Sequence, residues 1–319
     1  MHEFELINKY FSKLSSNNKS ALNLNDDVFF DKSKKIVIST DTYIEGIHFI
    51  NFKNPDLVIK KILRASISDL LCKGVKPKYY FISGSGNKKT FSLKNIKKIS
   101  KSLKQEQKKY SIFLSGGDTT FSNKLSFTIT TIGFSNKIIN RNNAKKNDDI
   151  YVTGNLGDSF IGLKVLKKSI NLKKNLNEYF KKKYFHPELH IKLIKKLLSF
   201  ANTSIDISDG LVADLEKLIN YQKLSYKLYL KDIPISKNLK KIIDLKLIRK
   251  ISCISQGDDY QILFTATRSK SGIIAKTSRY LGIKISKIGK ICTYSQKSQI
   301  IGEKNKKITL KNKGYFHRF

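Results

Sequence analysis

The sequence is short of several residue types, and each shortage excludes a class of protein. It has no tryptophan, one methionine, four prolines and three cysteines in 319 residues. The cysteines Cys72, Cys253 and Cys292 are far apart and odd in number, which argues against a disulfide framework and a zinc site. No run of 18 apolar residues occurs, so no membrane-spanning helix is expected. An N-terminus with acids and without an apolar signal segment favours the cytoplasm.

Acidic residues are also scarce, since 25 of them face 62 basic residues and give a formal net charge of +37. A surplus of this size is typical of proteins that bind nucleic acid or anionic membranes. Six of the basic residues are arginine, however, the residue that recognises phosphates and bases by geometry, and the lysines are spread along the whole chain. We therefore expect a solvated lysine surface with no nucleic-acid or membrane partner, and keep a basic nucleic-acid-binding protein as the alternative from another class.

Apolar residues make up 40% of the chain, which is long enough for two domains that each bury a core. A polar stretch over residues 140–149 separates the strand-like segment Ser126–Phe134 from the next strand-like segment, Ile150–Thr153. We therefore expect an N-terminal domain over residues 1–142 and a C-terminal domain over residues 143–319.

Both halves carry strand and helix patterns, so the predicted fold class is α+β. The clearest helix runs from Asn54 to Lys73, with Asn54 as N-cap, Pro55 at the first helical position and Gly74 as the stop. Further helices are predicted around Phe160/Leu163/Leu166, Leu189/Leu193/Leu197 after Pro187, and Leu211/Leu215/Leu218. Strands are predicted at Ile36–Thr40, Tyr79–Ser83, Ile112–Ser115, Ser204–Ile207, Tyr226–Leu230 and Gln261–Ala266.

The scarce carboxylates cluster at junctions next to Gly, Ser, Thr or Asn. Strand ends of this kind present hard oxygen ligands, which suit magnesium shared with a polyphosphate, and paired glycines let backbone N–H groups approach a phosphate. No Walker A spacing is present, so the pattern predicts a nucleotide–magnesium site without a P-loop. The junctions are Asn25-Asp26-Asp27, Ser39-Thr40-Asp41-Thr42, Ser68-Asp69, Gly116-Gly117-Asp118-Thr119-Thr120, Ile205-Asp206-Ile207-Ser208-Asp209-Gly210 and Gly257-Asp258-Asp259-Tyr260.

Each of these acids has an ordinary structural interpretation as well. An aspartate at a turn most often serves the turn itself, and Asp209 could complement a helix N-terminus with Ser208 as its N-cap. Asp69 is harder to explain in this way, because a negative charge near the C-terminal end of a helix opposes the helix dipole. A nearby cation would remove that penalty.

Taken in order, the junctions resemble the thiamine-monophosphate kinase family, which shares a superfamily with aminoimidazole ribonucleotide synthetase. The most diagnostic stretch runs from Ser39-Thr40-Asp41 through Glu45-Gly46 to His48-Phe49, where the family has Ser-Thr-Asp-x-x-x-Glu-Gly-x-His-Phe. The similarity extends from Glu3-Phe4-Glu5-Leu6-Ile7 to Gly314-Tyr315-Phe316-His317 and so covers almost the whole chain.

The resemblance implies a magnesium-dependent enzyme that passes the γ-phosphoryl group of ATP directly to thiamine monophosphate, without a phospho-enzyme. It also implies two α+β domains, the first a mixed sheet with helices through which the chain forms a homodimer. ATP contacts would come from Gly117, Asp118, Arg141 and Ser208, and substrate contacts from His48, Asp258 and Tyr315. The implied magnesium ligands are Asp26, Ser39, Thr40, Asp41, Asp69, Asp118, Asp206 and Asp209.

The chain departs from the family pattern at a few positions. Asn25 stands where the family has glycine, and Asp258 stands where it has glutamate, which is one methylene longer. Near the C-terminus, Phe316 and Phe319 compete with Tyr315 as the aromatic substrate contact. Another ATP-dependent synthetase of the superfamily is the alternative enzyme, although the terminal cysteines that two of those enzymes require are missing here.

Overall fold

The computed structural model describes residues 3–302, 305–310 and 312–315, and it confirms the α+β class. The helices are α1 (Glu3–Leu6), α2 (Pro55–Cys72), α3 (Leu93–Tyr110), α4 (Asp158–Leu166), α5 (Lys174–Phe185), α6 (Ile194–Phe200), α7 (Leu211–Leu218), α8 (Lys237–Asp244), α9 (Lys250–Ile254) and α10 (Ser271–Leu281). The strands are β1 (Phe29–Asp31), β2 (Ile36–Ile44), β3 (Pro77–Gly86), β4 (Phe113–Gly116), β5 (Thr119–Phe121), β6 (Ser126–Phe134), β7 (Asp149–Thr153), β8 (Thr203–Asp206), β9 (Leu224–Tyr229), β10 (Ile262–Ala266), β11 (Ile285–Thr293), β12 (Gln299–Ile301) and β13 (Lys307–Ile308).

The first sheet has the strand order β1-β2-β6-β3-β4, with β5 also paired to β3. Strand β3 runs parallel to β4 and β5, and the other neighbours are antiparallel. Because side chains alternate along a strand, Ser39 and Asp41 of β2 point to the face that α2 covers, whereas Thr40 and Thr42 point to the opposite face. On that opposite face the two threonines pair with Thr130 and Thr128 of β6.

Helix α2 packs on this sheet beside α3, and most of its residues are buried. It begins as predicted at Pro55 after Asn54, although the Asn54 side chain makes no capping bond, and the chain turns away at Gly74 with a φ of +78°. Inside the packed layer, the Arg64 guanidinium donates to both carboxylate oxygens of Glu106, at 2.7 and 3.0 Å, and to the carbonyl of Pro187 at 3.0 Å.

The second sheet has the order β13-β12-β9-β11-β7-β10-β8, and helix α7 packs into its main core. Strand β12 is parallel to β9, whereas the other neighbouring pairs are antiparallel, so this sheet is also mixed. All of its strands follow residue 148, and all strands of the first sheet precede residue 135. The division into domains at residue 142 remains a prediction.

The end of α2 joins the two sheets. Cys72, its last residue, is buried in a core cluster with Phe264 of β10, and the next residue, Lys73, donates to the Ser204 carbonyl of β8 at 2.8 Å. The last turn of α2 therefore lies against the strand that ends in Asp206. This junction positions the candidate site.

The helix predicted after Pro187 is shorter than expected. A 3-10 turn over Ile191–Leu193 leads into α6, and residues 187–190 are not helical. Two polar contacts hold that segment extended: Arg64 binds the Pro187 carbonyl, and the His190 ring hydrogen-bonds Gln261 at 2.8 Å. Within the described ranges, none of the helices is both long enough and apolar enough to cross a bilayer.

The buried ion pair of α2 and α3 gives a stability prediction. Arg64→Met should lower the free energy of unfolding by about 3–5 kcal/mol, because it leaves the Glu106 carboxylate buried without its cation. Adding Glu106→Leu should recover most of that loss, since the pair is then apolar. Urea denaturation measures both, with the exposed Lys108→Met as the control. A loss below about 1 kcal/mol for Arg64→Met would contradict this interpretation.

Candidate functional site

Carboxylates from three distant parts of the chain meet where α2 reaches the second sheet. Asp27, Asp69 and Asp206 each offer an oxygen within 4.8 Å of the oxygens offered by the other two. Asp41 of β2 adjoins them, because its charge is among the causes that raise the pKa of Asp69. Predicted ligands from β2, from α2 and from β8 are thus brought together. Asp27, from the loop before β1, was not among the predicted ligands; its neighbour Asp26 was.

Serine hydroxyls orient two of these carboxylates. The Ser39 hydroxyl donates to Asp69, and the Ser68 hydroxyl donates to Asp206 at 2.5 Å. Burial raises the pKa of Asp69 well above its ordinary value, and the Asp41 and Asp206 charges raise it further. Burial also raises the pKa of Asp41, and it raises the pKa of Asp206 to about 6. These three acids are therefore held where their ionised forms need a cation.

Asp26 and Asp27 are in a different situation, because the chain itself supplies their cations. The Lys73 ammonium lies 2.6 Å from Asp26 and 2.8 Å from Asp27, and the Arg141 guanidinium pairs with Asp27. The backbone N–H of Arg141 donates to the second Asp26 oxygen at 2.9 Å. The structure thus places Arg141, a predicted ATP contact, beside the carboxylates.

The loop between β8 and α7 carries Ser208 and Asp209. The N-cap of α7 is Gly210 rather than Ser208, and the Asp214 carboxylate accepts bonds from the N–H groups of Asp209 and Gly210, both at 3.0 Å. Asp209 forms an ion pair with Lys217. Asp209 therefore does not have the capping role that the sequence left open, and its assignment as a metal ligand remains a prediction.

Two predicted ligands are not brought into the carboxylate group. The Thr40 hydroxyl points to the other face of the sheet, where it pairs with Thr130 at 2.9 Å. Asp118 is exposed between β4 and β5, and its neighbour Gly117 lies against Ile82 of β3. Ile82 pairs with Ile129 of β6, which in turn pairs with Asp41 of β2. Three strand spacings, about 14 Å, therefore separate Asp118 from Asp41. The assignments of Asp118 and Thr40 remain predictions.

Gly117 is the position in this edge where the backbone requires glycine. Its φ is +153°, and a Cβ atom there would lie 1.8 Å from the Ile82 carbonyl oxygen. The contact presses the Gly116–Asp118 turn against β3, and the Asp118 carbonyl accepts the Gly84 N–H at 2.9 Å. A Cβ atom at Gly116 would likewise lie 2.9 Å from the Phe81 side chain, so both glycines are required by the packing against β3. The phosphate contact predicted for this turn remains a prediction.

Two of the three predicted substrate residues, His48 and Asp258, lie on separate segments that the buried Lys61 connects. The Lys61 ammonium on α2 lies 2.8 Å from Asp258 and 3.4 Å from the centre of the Tyr184 ring, and the Tyr184 hydroxyl donates to the His48 carbonyl at 3.4 Å. Burial lowers the pKa of Lys61, which the Asp258 charge opposes. Sequence reasoning missed Lys61 and Tyr184, because one more lysine in this chain carries no signal of burial.

Tyr315, the third predicted substrate residue, is half-exposed, and its N–H donates to the Asp209 carbonyl at 3.0 Å. The same region holds the loop of Asp258, whose N–H donates to the Ser208 carbonyl at 2.9 Å. Predicted ATP and substrate residues are thus neighbours along one stretch of backbone. The alternatives Phe316 and Phe319 lie outside the described residues.

A family model and two solved structures show which known fold this chain has. A family model for the N-terminal domain of AIR synthase related proteins matches residues 24–135. A solved structure of thiamine monophosphate kinase from Aquifex aeolicus, 24% identical, covers 97% of this chain with a TM-score of 0.78, while 99% of its own length is covered. An Escherichia coli hydrogenase maturation protein, 17% identical, aligns with a TM-score of 0.69 over 97% of each chain. These likenesses define a protein of the AIR synthase related fold.

Closer relatives narrow the class to a family. The thiamine-monophosphate kinase of Buchnera aphidicola from Acyrthosiphon pisum is 34% identical, over 99% of this chain and 98% of the relative. The Escherichia coli K12 thiamine-monophosphate kinase is 29% identical over the same shares. A solved structure described as AaThiL complexed with AMPPCP and TMP is 25% identical, with a TM-score of 0.84 over 99% of this chain and 97% of that one. This chain belongs to the thiamine-monophosphate kinase family.

The buried carboxylates predict how a divalent cation affects stability. The pKa values of Asp41, Asp69 and Asp206 are higher in the folded protein than in an unfolded chain, so protonation favours folding. Their contribution is complete below about pH 4 and is lost as the pH rises through the folded values, about 6 for Asp206. Magnesium should therefore raise the melting temperature more at pH 8 than at pH 5.

Asp69→Asn tests which carboxylate is responsible. At pH 8 without metal the variant should melt a few degrees above the wild type, because a repelling buried charge is gone, and it should lose most of the magnesium response. Asp31→Asn is the control, since that carboxylate is exposed on β1 and bonded to Ser33 at 2.6 Å. An unchanged magnesium response in Asp69→Asn would remove Asp69 from the metal site.

Proposed function

We propose that this protein transfers the γ-phosphoryl group of ATP to thiamine monophosphate and so forms thiamine diphosphate and ADP. The observation that carries the proposal is the group in which oxygens of Asp27, Asp69 and Asp206 meet, with Asp41 close to Asp69. The family similarity of the chain extends over 99% of its length. A relative of 25% identity that was solved with AMPPCP and TMP supports both substrates. No second function has a comparable observation in its favour.

The chain's own residues are suited to direct in-line transfer. A phosphate acceptor is already ionised near neutral pH, so the reaction needs little general-base chemistry and much positioning of two anions. Asp41, Asp69 and Asp206 would hold magnesium, which would supply positive charge against the negative charge that develops on the phosphate groups. The oxygens of Asp41, Asp69 and Asp206 fit such an ion, because they are hard donors that lack ion pairs among the described residues.

The remaining roles follow the family pattern and are part of the same proposal. His48, Asp258 and Tyr315 contact thiamine monophosphate, and the Lys61–Tyr184 contact supports a single acceptor site built from the first two. Gly117, Asp118, Arg141 and Ser208 contact ATP. Ser39, Thr40, Asp118 and Asp209 complete the proposed ligand set around the magnesium ions. Asp26, the remaining ligand expected from the family pattern, is paired with Lys73.

We also propose a homodimer that forms through the first sheet. Its uncovered face carries Thr40 and Thr42 of β2 and Thr128 and Thr130 of β6, and large apolar side chains on β3, β4, β5 and β6 are exposed. A contiguous surface of this composition suits a second copy of the chain better than water. The exposed apolar residues are Tyr79, Phe81, Phe113, Leu114, Phe121 and Phe134.

A cytoplasmic location fits the same proposal. Cys72, Cys253 and Cys292 are all free and buried, as in proteins of reducing compartments.

The activity prediction is direct. The full chain with ATP, magnesium and thiamine monophosphate should produce thiamine diphosphate and ADP in equal amounts. Asp118→Asn should lower turnover by about two orders of magnitude or more with an unchanged fold, because it removes a charge at the proposed nucleotide edge without touching a core contact. Chromatography of the thiamine phosphates and circular dichroism measure both effects.

Asp244→Asn, an exposed acid at the end of α8, is the matched control and should keep full turnover. No product from the wild type, alongside an active relative, would count against the kinase and favour another synthetase of the superfamily. Near-normal turnover by Asp118→Asn would remove that residue from the site.

The dimer has its own test. Sedimentation equilibrium should give twice the chain mass of 36.6 kDa for the wild type. Phe134→Glu places a charge on the proposed interface and should shift the mass toward the monomer, whereas Tyr280→Glu, on α10 and 82% exposed, should not. A monomeric wild type at micromolar concentration would rule out a stable homodimer.

A further inference from the structure

Lys73 is a fully buried lysine whose ammonium group has three partners. It lies 2.6 Å from an Asp26 oxygen, 2.8 Å from an Asp27 oxygen and 2.8 Å from the Ser204 carbonyl oxygen. Three acceptors match the three N–H donors of a charged ammonium. The lysine is therefore a fixed cation inside the acidic group.

The two aspartates that bind Lys73 have little capacity left for another cation. One Asp26 oxygen also accepts the Asp27 N–H at 2.8 Å, and the other accepts the Arg141 N–H at 2.9 Å. The Arg141 guanidinium pairs with Asp27. Two carboxylates are thus matched by two unit cations, all of them largely buried.

The neighbouring acids have no such compensation. Among the residues that the structure describes, Asp41, Asp69 and Asp206 receive hydroxyl hydrogen bonds but form no ion pair. An Asp27 oxygen lies within 4.8 Å of oxygens of Asp69 and Asp206, so the acids that form ion pairs are next to the acids that do not. Lys73 binds on the Asp27 side. A divalent ion gains most beside the carboxylates that form no ion pair, because there it need not displace a bound ammonium or guanidinium group.

We propose that the Lys73 ammonium permanently occupies a cation position of this acidic centre, so that Asp26 and Asp27 bind lysine in place of a divalent ion. Divalent ions are then confined to the side formed by Asp41, Asp69 and Asp206. The inference rests on the proposed function in one respect, that the centre binds divalent cations. It replaces the expectation, taken from the family resemblance, that Asp26 is a magnesium ligand.

The experiment is a calorimetric titration of the full chain with Mn²⁺ alone, as a probe for magnesium. Lys73→Met should bind one more Mn²⁺ ion per chain than the wild type, because two carboxylates lose their tethered cation. It should also gain more thermal stability from Mn²⁺. Lys76→Met, three residues further along and exposed, should match the wild type in both measurements.

Asp26→Asn keeps the inference testable if Lys73→Met does not fold without metal. The wild-type ion count and affinity should persist in this variant, since the amide oxygen still accepts a hydrogen bond from Lys73 and Asp27 keeps its ion pair with the same ammonium group. Loss of affinity by about tenfold or more would identify Asp26 as a ligand and overturn the inference. A folded Lys73→Met with the wild-type ion count would overturn it as well, and the proposed divalent centre would stand. Absence of Mn²⁺ binding in every variant would overturn both.

Discussion

Repulsion between buried carboxylates is the constraint around which this molecule is arranged. Asp41, Asp69 and Asp206 are desolvated and close to one another, and without a cation part of their charge must be neutralised by protonation. The fold tolerates them because hydroxyls donate to them and because Lys73 and Arg141 neutralise the adjacent acids. The arrangement is poor for stability and good for gathering cations around phosphates, which is the balance expected of a functional site.

Helix α2 is the element that makes this arrangement possible. Lys61 lies about two turns before Asp69 in this helix, and Lys73, the C-cap, follows Asp69 by about one turn. Lys61, in the first half of the helix, contacts Asp258 in the loop over residues 257–260. Asp69 and Lys73, at the end of the helix, contact the second sheet. Polar residues of an otherwise apolar helix thus contact both the proposed substrate site at Asp258 and the proposed magnesium site. A rotation of this helix would disturb both sites at once.

The acids of the site could be predicted from the sequence, but their cations could not. Asp41, Asp69 and Asp206 stand out because carboxylates are few and these lie in motifs that also contain Ser or Thr. The expectation that Asp41 follows the end of its strand was wrong, because β2 continues to Ile44. Lys61 and Lys73 are lysines among many, and burial of a lysine depends on tertiary contacts that no local pattern encodes. The distance of Asp118 from the carboxylates was equally inaccessible, because it depends on which strands pair with β3.

In the loop over residues 257–260, backbone hydrogen bonds set the position of Asp258. Asp258 and Tyr260 both have positive φ values, +70° and +50°, which cost about 1–3 kcal/mol each in non-glycine residues. Backbone bonds to Ser208 and Ile207, at 2.9 and 2.8 Å, hold them there, and Gly257 lies so close to Ser208 that no Cβ would fit. The Asp258 carboxylate is then fixed by Lys61 and by the Tyr260 hydroxyl at 3.0 Å. Asp258, which is one methylene shorter than the glutamate of the family pattern, is thereby anchored to the segment that carries Ser208, a proposed nucleotide contact.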